Sequence, residues 1–323
     1  MEQKEFLSYS LGALMYTPAT NKTIAQKLIS GEFRPNSVAL CLEDAIGDVP
    51  IKVAEKQLFD TLREIKAAAA ADLPLIFIRI RTPLHMSKIF SKLEDLAEIV
   101  SGFVLPKFSL ANAADYKTVT YEINTISGNN MFVMPILEND GIIGLENRAA
   151  VLAELKGIID NVRDLVLNVR VGGNDFCNLF AIRRNINQTI YDISVINSVI
   201  SDILNVFSGD YVVSAPVWEY FQNETSDDWL DGLKRELELD RLNGFIGKTA
   251  IHPSQIAPIQ ESLKVSNNDY QDALTIKNWT NKDAGVEKSY CGMRMNEVKV
   301  HEKWARKILL LASIYGVRDA DLV

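Results

Sequence analysis

A (β/α)8 barrel is the fold this sequence predicts, and three observations predict it. Short apolar runs recur eight times, helical periodicity follows most of them, and polar residues gather where the runs end. The runs cover 13–18, 37–43, 75–80, 102–107, 131–138, 164–173, 211–217 and 244–252. Their centres are almost continuously apolar, as in VALCL, LIFIRI and FVMPIL, which suits strands covered by helices on one face and by the barrel core on the other. Helical spacing follows at 21–30, 53–70, 86–100, 147–159, 228–242 and 258–265. A doubly wound sheet is the competing arrangement, but the one Gly-rich turn, VGGN at 171–174, lacks the GxGxxG spacing of a dinucleotide fold.

The chain of 323 residues accommodates one barrel, expected over 1–265, and a helical extension over 266–323 that opens polar and ends in a helical stretch at 296–315. Hydrophobic residues at 47% and charged residues at 24% are enough to fill a core. A net charge of −8 argues against nucleic-acid binding, which needs clustered cations to displace condensed counterions. Cys41, Cys177 and Cys291 are odd in number and show no CxxC spacing, so the sequence points to a reducing cytoplasm. Neither a secretory leader nor a run of about 18 apolar residues is evident, and no membrane span is expected.

In a barrel, chemistry collects where strands end and βα loops begin. The runs here end in Glu43 and Asp44, Arg79 and Arg81, Lys107, Glu138, Asn174 and Asp175, and Lys248 and His252. Each alone could be a helix cap or a solvated charge; together they form a ring on one rim. Glu138 and Asp175 end adjacent strands, and oxygen ligands without a nearby His or Cys favour a hard cation, Mg²⁺ or alternatively Mn²⁺. Gly172 and Gly173 let the backbone approach a ligand just before Asp175. Arg79 closes a strand, where its planar fork suits a carboxylate or a salt bridge to Glu43 or Asp44. Lys107 is surrounded by carboxylates that oppose the lowered pKa an amine nucleophile needs. His252 suits either a base or, more simply, a side chain fixing the last loop. No GxSxG elbow and no Walker loop is present, which removes the common hydrolase and kinase readings.

The order LMYTPATN, LCLEDAI, IRIR, LPK, PILEN, GGND and GKTAIHPSQI resembles the citrate lyase β-subunit and malyl-CoA lyase group of HpcH/HpaI-type aldolases. More narrowly it is similar to their divergent carbon–carbon bond lyase branch, whose genes often sit beside tellurite-resistance genes. The resemblance implies that Glu138 and Asp175 ligate Mg²⁺ and that Arg79 holds a substrate carboxylate. It further implies that Glu43 and Asp44 hydrogen-bond metal-bound waters and that Lys107 supports the site electrostatically. Pro18, Arg81, Gly172, Gly173, Asn174 and His252 would line the substrate side. The expected activity is retro-aldol or retro-Claisen cleavage of an oxygenated carboxylic acid or acyl thioester, with a CoA thioester as one form. The enzyme would be a homo-oligomer, trimeric or hexameric, with the tail around Trp304 reaching a neighbouring subunit. The sequence departs from the group at Gly12, where the first-strand motif has arginine, at Ala19 in place of glycine, and at Cys41 in place of an acid. Those departures keep open a different class, a barrel that binds metal and ligand without turnover as a subunit of a stress-related complex.

Overall fold

β1 (Ala13–Pro18) pairs in parallel with β2 (Ser37–Cys41), Leu14 opposite Ser37. The ladder continues in chain order through β3 (Leu75–Arg79), β4 (Gly102–Leu105), β5 (Phe132–Leu137), β6 (Asn168–Val171) and β7 (Val212–Ser214), while β8 (Lys248–Ala250) pairs with the other edge of β1. A bridge between Ala215 and Lys248, with Ile246 N–H donating to Val213 O at 2.9 Å, joins β7 to β8 and completes the circle. This computed structural model describes residues 3–224, 226–280 and 284–318.

Helices α2 (Ile24–Ile29), α3 (Ile51–Ala68), α4 (Pro83–Leu93), α5 (Ala113–Ile126), α6 (Arg148–Asp160), α7 (Gly173–Leu179), α8 (Ser194–Phe207), α9 (Asp228–Leu242) and α10 (Ile256–Ser262) fill the connections; α1 (Gln3–Ser10) precedes β1. Local chemistry sets their ends. α4 starts at Thr82, whose hydroxyl accepts from His85 N–H at 3.1 Å, with Pro83 in the first turn where its missing N–H costs nothing. α3 buries Ala54, Leu58, Leu62 and Ile65 on one face and stops at Ala69, left-handed at φ 47°. Strand alternation sorts the rest: Ile76, Ile78 and Ile80, or Val169 and Val171, face the helices in one continuous core.

The strands are shorter than the apolar runs because the rim residues leave the ladder. Lys107 turns at φ 50° after β4, and Glu43 caps a short 3₁₀ turn after β2. The expected sixth strand, 164–173, and eighth, 244–252, each contract by six residues; in the sixth, Arg163–Leu165 forms a 3₁₀ turn and Gly173 already begins α7.

The chain divides into two compact units, Leu11–Ile259 and a second that combines α1 with the chain from Gln260. In the second, α11 (Asn267–Lys277) packs on α12 (Val298–Tyr315) through Ala273, Ile276 and Ala305, with Trp304 half-buried against them. The β10 (Val286–Lys288) and β11 (Met295–Glu297) hairpin is tied to α11 by buried Asp272, which accepts from Tyr290 N–H at 2.6 Å, Arg294 Nε at 2.9 Å and Asn296 Nδ2 at 2.9 Å. Ahead of α11, β9 (Val265–Ser266) pairs in parallel with β12 (Val317–Arg318). α1 is held within this unit by Arg306 on Glu5 and by Tyr315 Oη donating to Tyr9 O at 2.6 Å.

Lys248 does not join the polar rim. It faces outward from β8 and donates to Glu236 and Asp240 of α9, at 2.8 Å each. Glu236 also accepts from Arg184 Nη1 and Ile190 N–H, and Tyr191 Oη donates to Asp240 at 2.6 Å, so every charge in this dry network has a partner. Breaking a buried pair from one side is costly because the remaining charge stays buried. Lys248→Met is therefore expected to lose ~3–5 kcal/mol in urea denaturation, whereas Lys56→Met, which removes an exposed pair on α3, should change stability by under ~1 kcal/mol.

Candidate active site

Arg79 is the last residue of β3, and its side chain turns into the barrel mouth. One nitrogen, Nη2, lies 2.9 Å from Glu43 Oε2, 3.4 Å from Glu138 Oε1 and 3.5 Å from Asp44 Oδ2. Nη1 is 3.9 Å from Cys41 Sγ, and the guanidinium carbon sits 5.4 Å from the Tyr16 ring centre. Nε has no partner although it is buried. Burial opposes its charge, but Tyr16, Glu138, Cys41 and Glu43 outweigh that and hold it protonated.

Glu138 follows β5, and Asp175 stands in the first turn of α7, directly after the neighbouring strand β6. The close approach is built into the backbone: a Cβ at Gly172 would lie 2.3 Å from Glu138 Cβ and 2.6 Å from its Oε2. Gly173 is equally confined, since its Cβ would meet Pro216 at 2.8 Å. Glu138 Oε1 accepts the Lys107 N–H at 2.8 Å, a bond the left-handed turn at Lys107 makes possible. The Lys107 ammonium donates to Asp175 Oδ1 and lies 3.6 Å from Asp44 and 4.0 Å from Glu138.

Burial pushes the Glu138 carboxyl up to about 7; Arg79 and Lys107 pull it down, and the Asp175 charge adds to the rise. Glu43 is likewise raised by burial. At Asp44, burial is outweighed by the Glu43 hydrogen bond, Lys107 and Arg79, so its pKa falls. Lys107 is raised: Asp175, Glu138 and Asp44 overcome its partial burial, the reverse of what a Schiff-base amine needs. Glu138, just after β5, and Asp175, in the first turn of α7, offer two carboxylates that could hold a hard divalent cation that keeps several waters. Among the described residues no group of three or more His, Cys, Asp or Glu could hold a metal, so water or substrate oxygens would complete the shell.

The remaining sequence candidates separate. Pro18 ends β1, half-buried, and Asn174 stands half-buried in the first turn of α7 beside Asp175. Arg81 is exposed past the strand end, with its N–H donating to His85 Nδ1 at 3.2 Å. His252 fixes the last loop: Nδ1 meets Ser254 Oγ at 2.9 Å, Gln255 caps its backbone, and its ring stacks on Phe221 at 4.6 Å.

A family model described as C-C bond lyase of the TIM-barrel fold matches residues 5–317. The chain belongs to that family. Solved structures similar to this lyase include CitE from Mycobacterium tuberculosis in complex with magnesium, acetoacetate and coenzyme A, at 18% identity and TM-score 0.60, covering 94% of this chain and 98% of that one. RipC from Yersinia pestis matches at 15% identity and TM-score 0.54, over 79% and 95% of the two chains. The M. tuberculosis citrate lyase β subunit complexed with oxaloacetate and magnesium matches at 19% and TM-score 0.52, over 79% and 98%. At these identities the likeness establishes the fold. No curated protein sequence matches significantly.

Sequence reasoning missed a second arginine in this lyase. Arg170, in the middle of β6, is 1% exposed and donates from Nη2 to Thr249 Oγ1 on β8 at 2.7 Å, with the Tyr16 hydroxyl beside it. Asn168, two residues earlier, donates to Ser214 Oγ at 2.6 Å. A charge in mid-strand, two residues before the glycine that clears Glu138, was the available signal in NVRVGG.

The raised Glu138 pKa has a sign. Its contribution to stability is present below its ordinary 4.5 and is lost as pH rises through about 7. Glu138→Gln, compared with wild type in EDTA by urea denaturation, should therefore gain relative stability as pH climbs from 4.5 to 7, levelling off above that at ~3 kcal/mol. A pH-independent difference would contradict the buried, proton-binding Glu138.

Proposed function

We propose that this protein is a Mg²⁺-dependent carbon–carbon bond lyase that cleaves an oxygenated carboxylic acid or its acyl thioester by retro-aldol or retro-Claisen chemistry. The observation that carries this reading is the pairing of Glu138 with Asp175 on neighbouring strands, with Gly172 emptied of a side chain so that Glu138 can come close. Membership of the family supports the lyase chemistry. Magnesium with oxaloacetate, acetoacetate or pyruvate in the M. tuberculosis structures suggests which ligands to try.

When bound, Mg²⁺ would polarise a substrate carbonyl or hydroxyl oxygen and stabilise the negative charge that develops as the carbon–carbon bond breaks. Glu138 and Asp175 hold it. Arg79 binds the substrate carboxylate; its unpartnered Nε and its pre-set orientation between Glu43 and Glu138 equip it for a two-point hydrogen bond. Glu43 and Asp44 orient water at the ion, and Asp44, 62% exposed at its side chain, faces the solvent side of the mouth. Lys107, on Asp175 and near Asp44 and Glu138, favours the ionised form of the carboxylate cluster. Pro18, Gly172, Gly173 and Asn174 line the substrate side, with Arg81 and His252 at its outer edge. We place the enzyme in the cytoplasm as a homo-oligomer.

Thermal shift against Mg²⁺ and a panel of oxoacids, hydroxyacids and acyl-CoAs tests this directly. Wild type should rise in Tm with Mg²⁺ and further with one ligand class, and Glu138→Ala should abolish both rises. In the cleavage assay for that ligand, Arg79→Lys should lower kcat/KM by ~10²-fold or more, because a lysine cannot make the planar fork. Absence of any Mg²⁺ effect in wild type would remove the basis for the reading.

A further inference from the structure

The interior of a (β/α)8 barrel is ordinarily filled by branched apolar side chains. In this one, Tyr16, Arg79, Asn168, Arg170, Ser214 and Thr249 come from five strands into the same interior. Asn168 and Ser214 satisfy most of their needs on each other and on Ile246 O, at 2.6 and 2.8 Å. Arg170 does not. Its guanidinium crosses from β6 to β8 and spends one nitrogen on Thr249; Nε and Nη1 are buried with no partner. Burial and Arg79 oppose its charge, Tyr16 favours it by charge and by a hydrogen bond, and among the described residues no carboxylate acts on it.

Uncompensated burial of a full positive charge costs several kcal/mol. Contrast Arg184 on the outside of the same barrel, equally buried and also with an unpartnered Nε, whose charge is nonetheless met by Glu236 at 2.8 Å and Glu219 at 3.5 Å. An interior arginine with idle donors on two edges, each adjoining Nη2, and sharing Tyr16 with a second arginine that also has an idle donor, is arranged for an anion that arrives from outside the protein.

We propose that Arg170, with Tyr16 and Thr249, forms an anion seat inside the barrel that takes a second carboxylate of the substrate, so that the preferred substrate class is a small dicarboxylate. This rests on the function proposed above. Arg79 contacts both Glu138 and Tyr16, and Arg170 lies on β6 opposite Ile136, two residues before Glu138, so the seat lies deeper in the barrel than the carboxylate pair. A ligand with one carboxylate on Arg79 and a second on Arg170 would fill the donors of both. A monocarboxylate leaves Arg170 unpaired and gains correspondingly less.

Calorimetric titration of the full chain in Mg²⁺ with pyruvate and with oxaloacetate, which differ by one carboxylate, tests the seat. Wild type should bind oxaloacetate ~10–100-fold more tightly, the worth of one charge-assisted pair. Arg170→Met should bind the two acids alike, with pyruvate affinity unchanged, and Arg170→Lys should fall between. Without ligand, Arg170→Met should melt at or above the wild-type Tm, since it removes an uncompensated charge; a drop of many degrees would show the arginine to be structural and overturn the seat. Retained preference for oxaloacetate in Arg170→Met would overturn it too, with the Mg²⁺ reading intact. If neither acid binds in Mg²⁺, the lyase reading fails, and malonate in EDTA decides the seat alone: a rise in Tm that Arg170→Met abolishes supports it, and no rise overturns it.

Discussion

A single guanidinium at the barrel mouth allows three carboxylates to stand within a few ångströms of one another. Arg79 contacts Glu43, Glu138 and Asp44 through the same nitrogen, at 2.9, 3.4 and 3.5 Å. Without that charge, burial and mutual repulsion would drive protons onto the acids, and a protonated pair binds no cation. Glu138 already sits near neutrality, about 7, with Arg79 in place. The strand ends, the glycine at 172 and the left-handed turn at Lys107 all serve this cluster: one supplies the arginine, one admits the glutamate, and one turns an N–H onto it.

The molecule carries two ionic networks of opposite character on the two faces of one sheet. Outside, Arg184, Glu236, Lys248, Asp240 and Tyr191 close on themselves, and the network locks α9 and the segment after α7 to β8. Inside, Arg79 and Arg170 leave three buried donor atoms unfilled. Native proteins leave few such groups, and those they keep tend to mark places where stability is surrendered to a ligand. The outer Arg184 also has an unfilled Nε, but its charge is met by Glu236 and Glu219, whereas that of Arg170 meets no carboxylate among the described residues.

The barrel was legible because the strands are apolar runs and most are followed by polar residues, with Glu43, Arg79, Lys107, Glu138 and Asp175 at or just past their ends. What stayed hidden lay off that pattern. Arg170 sits in mid-strand, where a search of the rims does not look. Lys248 lies in the middle of the run 244–252 and opens β8, where strand parity turns it outward; Glu236 and Asp240, four apart on one face of α9, were its signature. In the tail, α11 buries only Asp272, Ala273 and Ile276, so its sequence reads as a polar loop although Ser266 caps it and Asp272 anchors the hairpin.

The first strand shows how the inner network relates to the family pattern. At the position where the family motif has arginine stands Gly12, with φ 48°, a conformation a long side chain resists. Its carbonyl accepts Lys248 N–H at 3.0 Å, and a Cβ on Gly247 would lie 2.5 Å from that oxygen, so β1 and β8 meet there backbone to backbone. The left-handed backbone at Gly12 therefore disfavours an arginine at that position. Positive charge enters instead from β3 and β6, and β1 contributes Tyr16, which touches both arginines. A cation on a different strand reaches a different part of the barrel interior, while Glu138 stands just after β5 and Asp175 in the first turn of α7.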